Sequence, residues 1–138
     1  MAGTRRQARI AALQALYELD CTKHKTKETS AHLRAGKTLT QEALSFSEGL
    51  VEGVLQHKLE LDALIKKFAP AFPLEQMSII DRNILRLAIF EILFGGKTPF
   101  KVAINEAVEL AKRFGGDASP RLINGVLGSI TAEHGVKK

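Results

Sequence analysis

The segment from Leu74 to Phe94 most constrains the fold of this chain, because its apolar residues fall on almost every side of a helix. A surface helix keeps a polar face toward water, whereas a helix that is apolar all round is surrounded by other helices. Gly95 and Gly96 follow and are expected to end it. The segment therefore predicts the central helix of a bundle. The apolar residues are Ile79, Ile80, Ile84, Leu85, Leu87, Ala88, Ile89, Ile92 and Leu93.

The rest of the chain also reads as helical, since no segment shows the period-two alternation of a half-buried strand. The first helix is expected over about Thr4 to Asp20. A polar, basic connector, Thr22 to Thr40, follows and is expected to hold one short helix near residues 31–35. The sequence thus predicts one all-α domain over residues 1–138, with six or seven helices. The two prolines at Pro70 and Pro73 mark the candidate division between two sub-bundles.

A long helix is expected from about Leu39 to Lys58, with Thr38 and Gln41 spaced as a capping box. Gly49 and Gly53 lie within it and are expected to let a neighbouring backbone approach closely, which would offset their low helix propensity. Its core face carries Phe46, Leu50 and Val54.

The last two helices are expected to open alike, with a capping hydroxyl followed by a proline at the first helical position. The two pairs are Thr98 with Pro99 and Ser119 with Pro120. The first of these helices is expected to end at Phe114.

Composition excludes several classes of protein. No apolar run approaches the ~18 residues that a membrane-spanning helix needs, and the polar, basic start does not resemble a secretory signal. A single cysteine, Cys21, excludes an intramolecular disulfide framework and fits a reducing, cytoplasmic setting. One cysteine and four scattered histidines do not supply a structural zinc site.

The positive charge is concentrated at the N-terminus. Residues 1–38 contain eight Lys or Arg and three acidic residues, whereas residues 39–138 contain twelve of each sign. All of the net charge of +5 therefore lies in the first part. Such asymmetry indicates a polyanionic partner such as nucleic acid or an anionic membrane surface, the alternative being a solvated basic face that aids solubility.

No motif indicates catalysis. Two Gly-Lys-Thr triplets, at residues 36–38 and 96–98, lack the earlier glycine and the preceding strand of a phosphate-binding loop. The histidines show no metal-ligand spacing, and Cys21 has no evident histidine partner. The sequence favours a binding protein that needs no cofactor or metal over an enzyme.

Arg5, Arg6 and Arg9 fall within a sector of about 100° on the first helix. The same sector carries Leu13 and Leu16 further along, so the first turns are expected to project past the core and present three guanidiniums together. The connector would add Lys23, Lys25 and Lys27 nearby. Arginine forks match phosphates and base edges, and arginine-rich segments can order on RNA. An ordinary basic helix start is the alternative, although positive charge there opposes the helix dipole.

Several runs of residues together resemble the NusB family of bacterial transcription antitermination factors, in the same order and over essentially the whole chain. The runs are Arg5 to Arg9, Leu13 to Glu18, Asp81 to Ala88, Thr98 to Lys112, Phe114-Gly115 and Ile123 to Leu127. The resemblance implies an all-helical fold of two packed sub-bundles and a non-enzymatic role. Members of the family bind single-stranded boxA RNA with the ribosomal protein NusE. They act with other Nus factors on RNA polymerase, notably in ribosomal RNA operons.

The resemblance also implies site residues by position. The expected RNA-binding residues are Arg5, Arg6, Arg9, Ser119, Arg121 and Leu122, and the expected partner-binding residues are Tyr17, Glu75 and Asp81. Asn105 and Asn124 are expected to be buried amides with a structural role. Gln7 stands where many members have an arginine, and Leu122 where an aromatic ring is frequent. We therefore expect weaker RNA binding alone and more dependence on NusE.

Two alternatives stay open from the sequence. A NusB-like domain also precedes the catalytic domain of some ribosomal RNA cytosine methyltransferases. Only residues 135–138 follow the last expected helix, so we expect no cofactor-binding domain after it if the chain is complete. The chain could instead act as a purely structural adaptor or as a homodimer that stores its first helix in the interface. The sequence leaves monomer and homodimer undecided.

Overall fold

The segment predicted as one long central helix divides into three parts in the computed structural model, which describes residues 2–22, 39–96 and 98–134. A 3₁₀ turn, Leu74–Gln76, comes first and a π-helical turn, Phe90–Gly95, comes last. The α-helix between them is Ile79–Ile89. The connector lysines, the expected short helix near residues 31–35 and the Thr38 cap lie outside the described residues.

Six α-helices and no strand are found in the described ranges, as the sequence predicted. They are α1 (Ala2–Thr22), α2 (Gln41–Gln56), α3 (Lys58–Phe68), α4 (Ile79–Ile89), α5 (Phe100–Phe114) and α6 (Ser119–Glu133). None of the described helices is long and apolar enough to cross a membrane.

The chain divides into two compact units, Met1–Glu52 and Gly53–Lys138. The division falls inside α2 rather than at Pro70 and Pro73, so the prolines do not separate the sub-bundles. They mark only the turn between α3 and the 3₁₀ segment. A helix can pass from one unit to the next because its backbone hydrogen bonds are internal and need no partner from either unit.

In the first unit, α1 buries a stripe of small and apolar side chains, as its helical periodicity predicted. The buried residues of α1 are Ala8, Ala11, Ala12, Leu13, Ala15 and Leu16. The part of α2 that belongs to this unit also buries Ala43, Leu50 and Val51. The backbone N–H of Ala43 donates to Thr40 Oγ1 at 3.1 Å, so Thr40 caps α2. The prediction that the helix begins about two residues earlier is therefore wrong.

In the second unit, α4 is the central helix and packs against α3, α5 and α6. Eight of its eleven residues are buried, which confirms the interpretation of its all-round apolar pattern. Ser78 caps it, accepting from the backbone N–H of Asp81 at 3.0 Å. The π-helical turn that follows is capped by Gly96, whose φ of 73° is the left-handed conformation that glycine adopts without strain.

The expected caps of the last two helices are wrong in detail. Thr98 directs its hydroxyl to Glu91 Oε1 at 2.9 Å, and Pro99 occupies the cap position of α5. Ser119 is the first residue of α6, and its Oγ accepts from the backbone N–H of Gly116 at 2.9 Å. Pro120 does lie in the first turn of α6. Both hydroxyls therefore hold the preceding segment rather than cap the helix.

A buried ion pair joins α3 to α4. Arg86 donates from Nε to Asp62 Oδ1 at 2.8 Å and from Nη2 to Asp62 Oδ2 at 3.0 Å. Its Nη1 donates to Asn83 Oδ1 at 3.0 Å, and Asn83 in turn donates to the Ile79 carbonyl at 2.9 Å. Burial of a charge is tolerated because the pair is bidentate and hydrogen-bonded further. The ion pair was not predicted from the sequence, since Arg86 and Asp62 are 24 residues apart.

Candidate RNA interface

The arginine cluster on α1 is organised around one aromatic ring. The Arg5 guanidinium carbon lies 4.3 Å from the centroid of the Phe46 ring, and that of Arg9 lies 5.2 Å from the same centroid. Both distances are within the range of cation–π attraction. Phe46, expected on the core face of α2, is half-buried and supports two cations instead. The spacing of Arg5 and Arg9, one helical turn apart, is the signal that could have indicated a shared neighbour.

The three arginines are not equally presented. Arg6 is exposed and Arg5 is half-buried, but Arg9 retains only 5% of its accessible surface. Ala8 is also buried, so the core extends further toward the N-terminus than expected. The expectation that the first turns project past the core with three displayed guanidiniums is therefore wrong for Arg9.

The start of α6 combines one fixed and two more accessible side chains. Ser119 is 5% exposed and holds the turn through its bond from Gly116. A Cβ added at Gly115 would lie 2.5 Å from Ser119 Oγ, so the close packing of this turn requires glycine there. Arg121 is exposed and Leu122 is half-buried. The turn thus fixes the backbone position of the exposed Arg121.

The expected partner-binding residues differ in accessibility. Tyr17 is 41% exposed, and a hydrogen bond to the Cys21 side chain raises its pKa above the ordinary value. Glu75 is exposed on the 3₁₀ turn. Asp81 is only 9% exposed, and its Oδ1 is buried without a hydrogen-bond partner among the described residues. Tyr17 and Glu75 are therefore open to a partner, whereas Asp81 is largely enclosed.

Two further residues depart from expectation. Asn105 and Asn124 are both exposed, so the prediction of buried structural amides is wrong. Their spacing on α5 and α6 did not distinguish an outward from an inward amide. Within the described part of the chain, no group of three or more His, Cys, Asp or Glu residues could hold a metal ion.

The described residues thus define an all-helical protein with a cationic cluster on its first helix. Residues 6–132 match the model of the NusB family. "Transcription antitermination protein NusB" from Dehalococcoides mccartyi strain CBDB1 is 51% identical over 131 residues, which cover 95% of this chain and 92% of that protein. The chain belongs to the NusB family.

Solved structures agree with this assignment. T. maritima NusB is 31% identical to this chain and superposes with a TM-score of 0.84, over 94% of this chain and 91% of that one. A chain from the crystal structure of antitermination factors NusB and NusE in complex with dsRNA is 25% identical. It superposes with a TM-score of 0.88 over 96% of this chain and 99% of its own length.

Proposed function

We propose that this protein is a transcription antitermination factor that binds boxA-type nascent RNA together with NusE. In this role it acts with the other Nus factors on RNA polymerase, notably in ribosomal RNA operons, and in the cytoplasm where bacterial transcripts are made. The observation that carries the proposal is the family match over residues 6–132, which includes the arginines of α1 from Arg6 onward. The role is binding, with no chemical step.

The proposed RNA-binding residues have two kinds of task. Arg5, Arg6, Arg121 and Leu122 are accessible enough to contact RNA directly. Guanidiniums donate in a planar fork that fits phosphate oxygens and base edges. Arg9 and Ser119 are buried and would support the contacts from beneath, Arg9 beside Phe46 and Ser119 in the turn before Arg121. These side chains lie in different compact units, and each group is proposed on its own geometry.

The proposed NusE-binding residues are Tyr17, Glu75 and Asp81. The two carboxylates, Glu75 and Asp81, suit a basic ribosomal protein, because complementary charge speeds association and fixes the register of binding. Asp81 would contribute from a nearly enclosed position, where the unpartnered Oδ1 is able to accept a hydrogen bond from a partner residue.

Fluorescence anisotropy tests the proposal directly. A labelled boxA-type RNA is titrated with this protein, with NusE and with both together, against a scrambled RNA of the same length and a duplex of the boxA-type sequence. The expected result is cooperative binding by the pair with preference for the boxA-type strand over the scrambled one. Binding that ignores sequence and is unchanged by NusE would contradict the proposed function. The duplex arm reports whether single-stranded RNA is the preferred form.

A further inference from the structure

The ring of Phe46 lies beneath two guanidiniums that α1 supplies from successive turns, Arg5 at 4.3 Å and Arg9 at 5.2 Å from its centroid. A cation placed over an aromatic face is attracted to the negative potential of the ring. The ring therefore restricts two side chains that would otherwise sample many rotamers. Of these two arginines, only Arg5 is accessible, since Arg9 is buried.

The contact with the ring leaves the binding capacity of Arg5 available. A guanidinium has five N–H donors, and the attraction between a cation and an aromatic ring needs no hydrogen-bond acceptor. The contact therefore restricts the side chain while its N–H donors stay able to bind a ligand. Ordering a long side chain on binding costs conformational entropy, and a side chain already held in place loses less of it when the ligand arrives.

We propose that Phe46 is a positioning residue for RNA binding, which holds the Arg5 guanidinium with its donor edge free for an RNA phosphate or base. The inference rests on the proposed function and extends it to a residue on α2 that makes no RNA contact of its own. Arg9, beside the same ring, reinforces the arrangement from the buried side.

The test compares Phe46→Leu with Phe46→Tyr, measured as RNA affinity in the presence of NusE. Leucine keeps an apolar side chain but removes the aromatic face, and tyrosine restores the face. A cation–π contact at a partly exposed site corresponds to about a two- to fivefold change in affinity. We expect Phe46→Leu to weaken RNA binding by that factor and Phe46→Tyr to restore it. Phe68→Leu is the matched control, because it removes a ring lying 5.3 Å from the Lys67 ammonium on α3.

A double-mutant cycle separates positioning from a merely structural effect. In an Arg5→Gln background, Phe46→Leu should weaken RNA binding much less than in the unchanged protein, because the side chain that the ring positions is gone. Thermal unfolding of each variant and binding of NusE without RNA serve as checks on folding. An equal loss in both backgrounds, or a failure of Phe46→Tyr to restore affinity, would overturn the inference.

A measurement without RNA distinguishes failure of the inference from failure of the function. Ring currents of Phe46 shift the NMR signals of the Arg5 side chain, so Phe46→Leu should move them. Unchanged Arg5 signals would overturn the positioning role even if RNA binds. Shifted signals in a protein that does not bind boxA-type RNA with NusE would overturn the proposed function, and the positioning role would fall with it.

Discussion

At the scale of the residue, Tyr17 offers a clean pH measurement, because the chain contains one tyrosine and no tryptophan. Its hydrogen bond to Cys21 and the charge of the nearby thiolate raise its pKa, with slight desolvation acting in the same direction. Cys21→Ala should therefore lower the pKa of Tyr17 toward its ordinary value, as followed by ultraviolet absorbance of the phenolate. Cys21→Ser, which keeps a hydrogen-bonding group, should retain part of the shift. Coincident titration curves for all three proteins would contradict the contact.

The sign of the linked stability effect follows from the same shift. Since the folded-state pKa of Tyr17 lies above the unfolded one, the hydrogen bond favours the folded state below the unfolded pKa of about 10. That contribution is lost as the pH rises through the folded-state pKa. Cys21→Ala should thus lower the free energy of unfolding at neutral pH, and this loss should disappear as the pH rises through the folded-state pKa.

A substitution at Leu122 tests whether the lack of an aromatic ring at this position weakens RNA binding. Stacking of a base on an aromatic ring contributes ~1–3 kcal/mol, and the half-buried leucine at this position supplies no ring. Leu122→Phe should tighten binding of boxA-type RNA, and more for this protein alone than for its complex with NusE. Leu64→Phe, at a half-buried position on α3, is the matched control. Equal affinities for Leu122→Phe and the unchanged protein would remove Leu122 from the site.

At the scale of the element, the buried pair of Arg86 and Asp62 holds α3 to α4. The two side chains are 6% and 16% exposed, so removing the carboxylate leaves a guanidinium largely shielded from water. We expect Asp62→Ala to lower the free energy of unfolding by about 3–5 kcal/mol, measured by urea denaturation. Asp62→Ala combined with Arg86→Met should recover much of that loss. Lys67→Met, which breaks the exposed pair with Glu133, should change stability little, because surface pairs contribute little.

The two glycines of α2, Gly49 and Gly53, allow the same substitution to be compared in open and in crowded surroundings. A Cβ added at Gly53 would lie 2.1 Å from the Phe90 ring, whereas one added at Gly49 would meet nothing within 4 Å. Gly53→Ala should therefore destabilise the protein by about 1–3 kcal/mol through overpacking. Gly49→Ala should instead stabilise it by about 0.5–1 kcal/mol, because alanine is the better helix former. Thermal unfolding of the two variants measures both, and stabilisation by both substitutions would contradict the close approach at Gly53.

Patterns within one element were predictable from the sequence, and contacts between elements were not. The apolar pattern of residues 79–89 located the central helix because burial on all sides leaves a local signature. Local spacing also predicted that Thr98 caps the next helix. Its hydroxyl instead donates a hydrogen bond to Glu91, which lies in the π-helical turn. A neighbouring backbone was expected close to Gly49 and Gly53, but an added Cβ at Gly49 would meet nothing within 4 Å, and the nearest atoms at Gly53 belong to the side-chain ring of Phe90.

The same limit applies to the candidate site. The arginines of α1 were found by charge and helical spacing, but the burial of Arg9 depends on its surroundings in the folded chain, among them Phe46, which lies 37 positions away in the sequence. The enclosure of Asp81 and the exposure of Asn105 likewise depend on packing that no local pattern encodes.

For the whole molecule, the two compact units differ less in net charge than the two parts of the sequence do. Residues 1–38 carry a net charge of +5, but the first unit extends to Glu52 and includes three acidic residues of α2, which leaves it at +2. The second unit carries +3. Neither unit is strongly basic, so net charge alone does not indicate which residues would bind RNA. The local placement of Arg5 and Arg6 has to carry that distinction.

The salt dependence of RNA binding separates local placement from net charge. Each phosphate contact with single-stranded RNA contributes about 0.7 to the slope of log affinity against log salt concentration. Arg5→Gln combined with Arg6→Gln should therefore lower the magnitude of the slope by about 1.4. Lys58→Gln combined with Lys66→Gln removes the same two charges from exposed positions on α3 outside the proposed contacts. It should leave the slope nearly unchanged. Equal reductions in both double variants would mean that RNA responds to overall charge, and that the arginines of α1 do not form a site.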